Sequence, residues 1–237
     1  MNTPVFLATL RQRFTSPMRL VLTATVFAFP LLLLAFVPRF GLFVVQTGTP
    51  YAFILGAGLI GQETSSGVMQ LLFARPIRRW EYVFSRWLAV AAAIAGLIVA
   101  QLAIASLILM ARGETITARE VLLVGFTDQV LIGVGILSVL VFFSSFLSGI
   151  GDVAAIVLGF ITSQVLQGIG QITQRPPIAR IGQELLRFVK PEIQTGLIRD
   201  LGAIPWYEVV SYFSTVSLCL AVAVVLINRR EISYASE

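Results

Sequence analysis

Two aspartates lie in otherwise apolar sequence, Asp128 and Asp152, and the second closes Gly-Ile-Gly-Asp at 149–152. A GxGD tetrapeptide with a second aspartate is the pattern in which two carboxyls share a water and a proton for peptide hydrolysis. The spacing argues against that chemistry. The two lie 24 positions apart in what reads as one helix, and at 1.5 Å per residue they are separated by roughly 36 Å, more than the thickness of a bilayer core. Asp152 then reads as a helix-start residue after a glycine turn. Asp128 reads as an acid about two turns inside a span, a candidate intramembrane polar site. Its plainer reading is an interfacial residue, or one paired at a subunit contact.

Other catalytic constellations are excluded by composition. The chain has no histidine and one cysteine, Cys219, inside an apolar run. Ser-His hydrolysis, histidine-based zinc sites, an internal disulfide and a cysteine metal cluster therefore drop out. Cys219 reads as a small buried thiol. No GxxxxGK[ST] phosphate loop occurs, so this chain has no P-loop route to ATP hydrolysis. The formal net charge of +5 would point to nucleic acid only alongside a basic domain, and none is present; in a membrane protein such an excess marks headgroup contact and topology.

The remaining polar chemistry is concentrated in IGQETSSGVMQLLFARPIRRWEYVFSRW, residues 60–87. Glu63 ends the preceding apolar run. Thr64 to Ala74 can form a helix whose apolar residues include Val68, Leu71 and Leu72, and Gly67 admits a neighbouring backbone. Arg75 precedes Pro76, so that helix ends or bends there. Pro76 and Ile77 then open a second helix carrying Arg78, Arg79, Glu81 and Arg86, with Trp80, Tyr82 and Trp87 suited to the headgroup level. The expected element is a short bent helix parallel to the membrane. A basic loop that only fixes topology is the plainer alternative.

The elements that must position this segment are membrane helices. Hydrophobic residues make up 57% of the chain and charged residues 12%, about half the charge of an ordinary soluble domain. The apolar residues come in runs of about 18 or more, enough to cross a bilayer as a helix. The fold class is an all-α polytopic membrane protein with six transmembrane helices, an N-terminal interfacial helix, a short cytoplasmic helix between spans two and three, and short external amphipathic helices before the last span. One transmembrane domain is expected over 1–237: interfacial helix 1–18, spans one and two in 19–61, cytoplasmic loop 62–82, spans three to five in 83–172, external helices 173–206, span six 207–227, and a cytoplasmic tail 228–237. In the first helix Val5 and Thr9 share a face, with Arg11 and Arg13 placed on another. The first apolar run is read as a retained membrane helix because it exceeds the usual h-region of a signal peptide. Glycines of spans two and five, Gly56, Gly58, Gly61, Gly159, Gly168 and Gly170, predict close helix packing. In 173–206, Ile178, Ile181, Leu185, Phe188 and Val189 repeat at helical spacing, and Pro191 separates them from Ile193, Leu197 and Ile198, so two amphipathic helices should lie in the outer interface or dip into it. Arginines are denser beside the spans on the side holding both termini and the 62–82 loop, which places that side in the cytoplasm.

The order Glu63, Gly67, Leu72, Pro76-Ile77, Arg79, Tyr82 and a basic Arg86 resembles the signature of ABC-2 type permeases. In that family an acid, a glycine, a leucine pair, P-[IV]-x-R and a later Lys or Arg recur between the second and third spans. Arg86 departs from the commoner lysine, placing a bidentate fork where the family has a point charge. The layout is similar to that of small NosY-like permeases. The resemblance implies a permease subunit of an ATP-binding cassette transporter, an exporter in the cytoplasmic (inner) membrane of a prokaryote. The chain itself would be non-catalytic and hold no cofactor, with ATP and Mg bound by separate ATPase subunits. A second permease subunit, identical or paralogous, would complete the path between the first, second and fifth spans. Residues 63–82 would form the coupling helix. Val68, Leu71 and Leu72 would be its packing knobs. Arg75, Arg78 and Arg79 would meet acidic residues of the ATPase or anionic lipid. Glu63 would brace the loop against the N-terminal helix through Arg11 or Arg13. The rival readings are a secondary transporter or channel, and a membrane assembly factor that transports nothing.

Overall fold

The computed structural model describes residues 2–37, 41–65, 78–114, 117–193 and 206–229, and among these every regular element is helical. The first helix, α1 (Thr3–Thr15), is capped by Asn2, whose side chain accepts from the Val5 N–H, and has proline in its first turn; both features favour a helix start. Its buried stripe is Val5, Thr9 and Arg13. These positions are four apart and so lie one above the other. Arg13 therefore shares the Val5 and Thr9 face, which corrects the expectation that it lies on another side. The Asn2 N–H donates to the Ser85 hydroxyl at 2.8 Å, tying the start of α1 to the third long helix of the chain.

The other helices follow in order: α2 (Pro17–Phe36), α3 (Gly48–Gly56), α4 (Gly61–Ser65), α5 (Arg79–Ala111), α6 (Asp128–Ser144), α7 (Gly151–Ile172), α8 (Pro176–Val189) and α9 (Trp206–Arg229). Among the described residues, five helical stretches are long and apolar enough to cross a membrane: α2, α5, Gly125–Ser144, α7 and α9. The expected second span is not among them. It is divided into a 3-10 turn (Leu42–Val44), α3 and α4, with α3 and α4 separated at residues 57–60. Gly58 takes φ +63° in that gap, a left-handed conformation that suits glycine and breaks the helix. The entry to α6 is also irregular, a π-helical segment over Val121–Thr127.

Helices α5 and α6 form the centre. Ile94 and Ile98 of α5, Leu137 and Leu140 of α6, and Leu55, Leu59 and Ile60 of the broken segment are all fully buried. The outer helices expose large apolar side chains, among them Phe29 and Leu32 of α2, Leu158 and Val165 of α7, and Phe213 and Leu218 of α9. Such faces suit hydrocarbon rather than water. At 33 residues, α5 is roughly 50 Å long, which crosses the bilayer core with several turns to spare.

A buried polar lock holds α2 against this centre. Pro30 lies inside α2 and has no N–H for the carbonyl four residues earlier, that of Val26. The Gln101 amide of α5 donates to the Val26 carbonyl at 3.2 Å and to the Phe27 carbonyl at 2.9 Å. Its oxygen accepts from the Thr47 hydroxyl at 2.7 Å and the Tyr51 hydroxyl at 3.1 Å. One side chain thus joins α2, α5 and the head of α3, and no backbone group at the proline is left bare in the apolar medium.

After α7 the chain reverses and α8 packs back along it. A Cβ at Gly170 would lie 2.5 Å from the Ala179 nitrogen, one at Gly182 2.8 Å from the Ser163 carbonyl oxygen, and one at Gly159 2.8 Å from the Val189 side chain. The order of these pairs makes α8 antiparallel to the C-terminal half of α7, a re-entrant helix and not a loop lying flat. Of the glycines expected to pack closely, Gly168 faces open space, which corrects that expectation. The second amphipathic helix, around Leu197 and Ile198, lies outside the described residues, whereas Ile193 is buried against Tyr212 and Val216.

Candidate functional site at the break in the second apolar segment

Broken backbone in an apolar medium must find partners on other elements. At residues 57–61 these come from five helices. Arg13 of α1 donates to the Ala57 carbonyl at 2.8 Å and to the Gly58 carbonyl at 3.3 Å. Arg19 of α2 reaches the Ala57 carbonyl at 3.4 Å and the Gln62 side chain at 2.9 Å. Arg86 of α5 donates to the Leu59 carbonyl at 2.7 Å. The Ser144 hydroxyl of α6 accepts from the Ile60 and Gly61 N–H groups at 3.0 and 2.8 Å. Asp152 of α7 accepts from the Gly58 N–H at 2.7 Å and from its own neighbour Val153 at 2.9 Å. The Gly149 N–H closes the set on the Gly61 carbonyl at 3.1 Å.

Beside this turn, Glu63 forms an ion pair with Arg86 and accepts a hydrogen bond from the Tyr82 hydroxyl. The Arg86 guanidinium also lies over the Tyr82 ring, 5.0 Å from its centroid. Glu63 and Arg86 are each 5% exposed, so the pair is desolvated and depends on this geometry. The arginine fork allows one side chain to bind the Leu59 carbonyl and the Glu63 carboxylate together, which a lysine ammonium could not do in the same arrangement. Glu63 and Arg86 stand at the two ends of the connection between α4 and α5. The pair therefore clamps the root of the loop.

Five charged groups meet here: Arg13, Arg19 and Arg86 against Glu63 and Asp152. Burial, followed by repulsion from Arg19 and Arg86, pushes the Arg13 guanidinium down to about 9. Glu63 and Asp152 oppose that shift, and Arg13 remains a cation at neutral pH.

The sequence-predicted site residues divide into three groups. Glu63, Tyr82 and Arg86 are brought together as described. Arg78 is exposed at the cap of α5, and Arg79 donates to the carbonyls of Ile227 at 2.6 Å and Asn228 at 2.8 Å, near the end of α9. A cation on those late carbonyls favours the C-terminal end of a helix. Gly67, Val68, Leu71, Leu72, Arg75, Pro76 and Ile77 lie outside the described residues. Asp128 is away from the cluster, at the junction of the π-helical segment and α6, where the Gln129 amide donates to it at 3.3 Å. Asp128 and Asp152 flank α6 on opposite ends, and its 17 residues span roughly 25 Å, which keeps the carboxyls far from sharing a water.

Four members of the cluster are not evident in this role from the sequence: Asp152 reads as a helix start, Arg19 as a topology arginine, Arg13 as a partner for Glu63, and Ser144 carries no signal. A signal existed for Arg13, since it continues the four-residue stripe of Val5 and Thr9. None existed for Ser144, whose role depends on where a distant turn is placed.

The second apolar segment is thus broken, and an acid and an arginine pair at the root of the connection between it and α5. The model of the ABC-2 family transporter protein matches residues 27–227. The chain belongs to the ABC-2 transporter family. It is therefore a multi-pass membrane protein and a permease component of an ABC transporter, of a kind that associates with ABC ATPase subunits and is typically not itself catalytic. No curated protein and no solved structure matches the chain at a significant level.

Proposed function

We propose that this ABC-2 permease is an exporter subunit that works as a pair with a second permease copy or paralogue. Separate subunits bind and hydrolyse ATP with Mg, and their closure is delivered through the connection between α4 and α5. The observation that carries this reading is the Glu63–Arg86–Tyr82 clamp at the root of that connection. A force applied to the loop passes straight to α5 through Arg86 and Tyr82. It also reaches the broken turn, and through its partners α1, α2, α6 and α7.

Both termini and the 62–82 loop face the cytoplasm of a prokaryotic inner membrane in this reading, with Val68, Leu71 and Leu72 on the ATPase and Arg75 and Arg78 near acidic groups or anionic lipid. Arg79 has a second task, since it joins the start of α5 to the end of α9. A secondary transporter would place charge and broken backbone around an ion path. Here the charges at the break bond to protein backbone and to one another.

The test is purification of the permease with its ATPase, followed by transport-coupled ATP hydrolysis. Glu63→Ala and Arg79→Ala are each expected to lower coupled hydrolysis at least about tenfold while the permease still inserts. Unchanged ATPase docking and unchanged coupled activity in both variants would sink the proposal.

A further inference from the structure

The re-entrant helix ends beside a groove that the coupling reading does not use. Phe53 of α3, Val157 and Phe160 of α7, and Val189 of α8 form apolar walls around about 410 Å³ of empty space. That volume falls within the range of small-molecule sites, which are mostly apolar with a few polar groups fixing orientation. Ile136 and Ile156 add to the apolar lining, and Thr49 and Lys190 are its polar residues.

Lys190 is the informative one. It caps the end of α8, and the neighbouring Pro191 carbonyl oxygen lies 2.7 Å from where a Cβ of Gly135 would stand. Tyr212, two turns into α9, touches the same glycine. The re-entrant turn thus sets Lys190 at the edge of those apolar walls, beside the stretch 191–193 that packs on α9. Glu192 is a partner at 2.7 Å, but an ammonium has three donors, and a single carboxylate contact leaves capacity for a second acceptor. The Lys190 side chain is 36% exposed, and it lines the groove.

We propose that this groove binds a single-chain amphiphile with an anionic head: the chain lies along Phe53, Val157 and Phe160, and the head is held by Lys190 with Thr49 as a second donor. This names a substrate class for the permease and so rests on the transport reading, but binding can be measured without the ATPase.

The experiment uses the full-length permease in phosphatidylcholine nanodiscs, with a diazirine-bearing oleate as probe and oleyl alcohol and oleylamine as competitors. Photolabelling should map to peptides containing Val157 or Phe160, and unlabelled oleate should compete at least tenfold better than either competitor. Lys190→Gln should remove that preference for oleate and leave oleyl alcohol competition unchanged, while Lys190→Arg should keep the preference. Val157→Trp, at a half-exposed position that tolerates bulk, should abolish labelling in the groove. Labelling that survives Val157→Trp, or an oleate preference that survives Lys190→Gln, overturns the proposal. Equal competition by all three ligands shows an apolar crevice filled by any lipid chain and also overturns it. If binding holds but coupled ATP hydrolysis is insensitive to Glu63, the transport reading alone fails.

Discussion

Replacing Glu63 by glutamine keeps the shape of the side chain and removes its charge. The consequence follows from the burial of its partner. Arg86 is 5% exposed, and its described bonds are to the Glu63 carboxylate and the Leu59 carbonyl. After substitution the guanidinium loses its anionic partner and keeps only neutral ones, the Leu59 carbonyl, the new amide oxygen and the Tyr82 ring. Breaking a buried pair by removing one partner costs about 3–5 kcal/mol. For a chain of 237 residues, each kcal/mol moves the unfolding midpoint by roughly 2–4 °C. Glu63→Gln should therefore lower Tm by roughly 6–20 °C in a detergent-solubilised thermal melt. The double variant Glu63→Leu/Arg86→Leu removes both charges, so its loss should be smaller than the sum for the singles Glu63→Leu and Arg86→Leu, the coupling read from that double-mutant cycle. Arg86→Lys should fall between that double variant and Glu63→Gln. A Glu63→Gln melt within about 2 °C of the unmodified protein, or a double variant less stable than the sum of the singles, would refute the clamp as described.

Three further outcomes are expected. Gln101→Met preserves approximate volume but leaves the Val26 carbonyl beside Pro30 without its donor; at about 0.6 kcal/mol for each of four interhelical bonds, the same melt should fall by roughly 5–10 °C. Asp152→Ala leaves the buried Gly58 N–H unpaired, a cost of about 1–3 kcal/mol, and should increase hydrogen exchange at residues 57–61 while leaving α9 unaffected. Gly170→Leu drives a side chain into the Ala179 backbone and should lift α8 from α7, seen as faster tryptic cleavage at Arg180 and Arg187; an unchanged cleavage rate would show that α8 does not need this contact.

Much of this molecule could be read in one dimension because the membrane imposes a length and a polarity on each span. The long apolar runs placed α2, α5, α7 and α9 close to where they stand, since roughly 20 apolar residues have few other stable states. At the root of the connection between α4 and α5 the residues were legible but their pairing was not: the sequence directed Glu63 to Arg11 or Arg13 and Tyr82 to the headgroup level, whereas Glu63 pairs with Arg86 and with a fully buried Tyr82. Tertiary structure alone decided the rest. The second apolar segment has the composition of a span, and nothing local says that Ala57 to Ile60 must unwind. That conformation is stable only because Arg13, Arg19, Arg86, Ser144 and Asp152 arrive from five other helices to bond the freed backbone. Likewise Gln101 looks like an isolated amide in a greasy helix until Pro30 of another helix exposes a carbonyl beside it. Hydrophobic pattern is carried by neighbours along the chain, whereas a buried donor and its acceptor can be any number of residues apart. The sequence therefore determined which stretches enter the membrane, and the packing determined where the chain could break inside it.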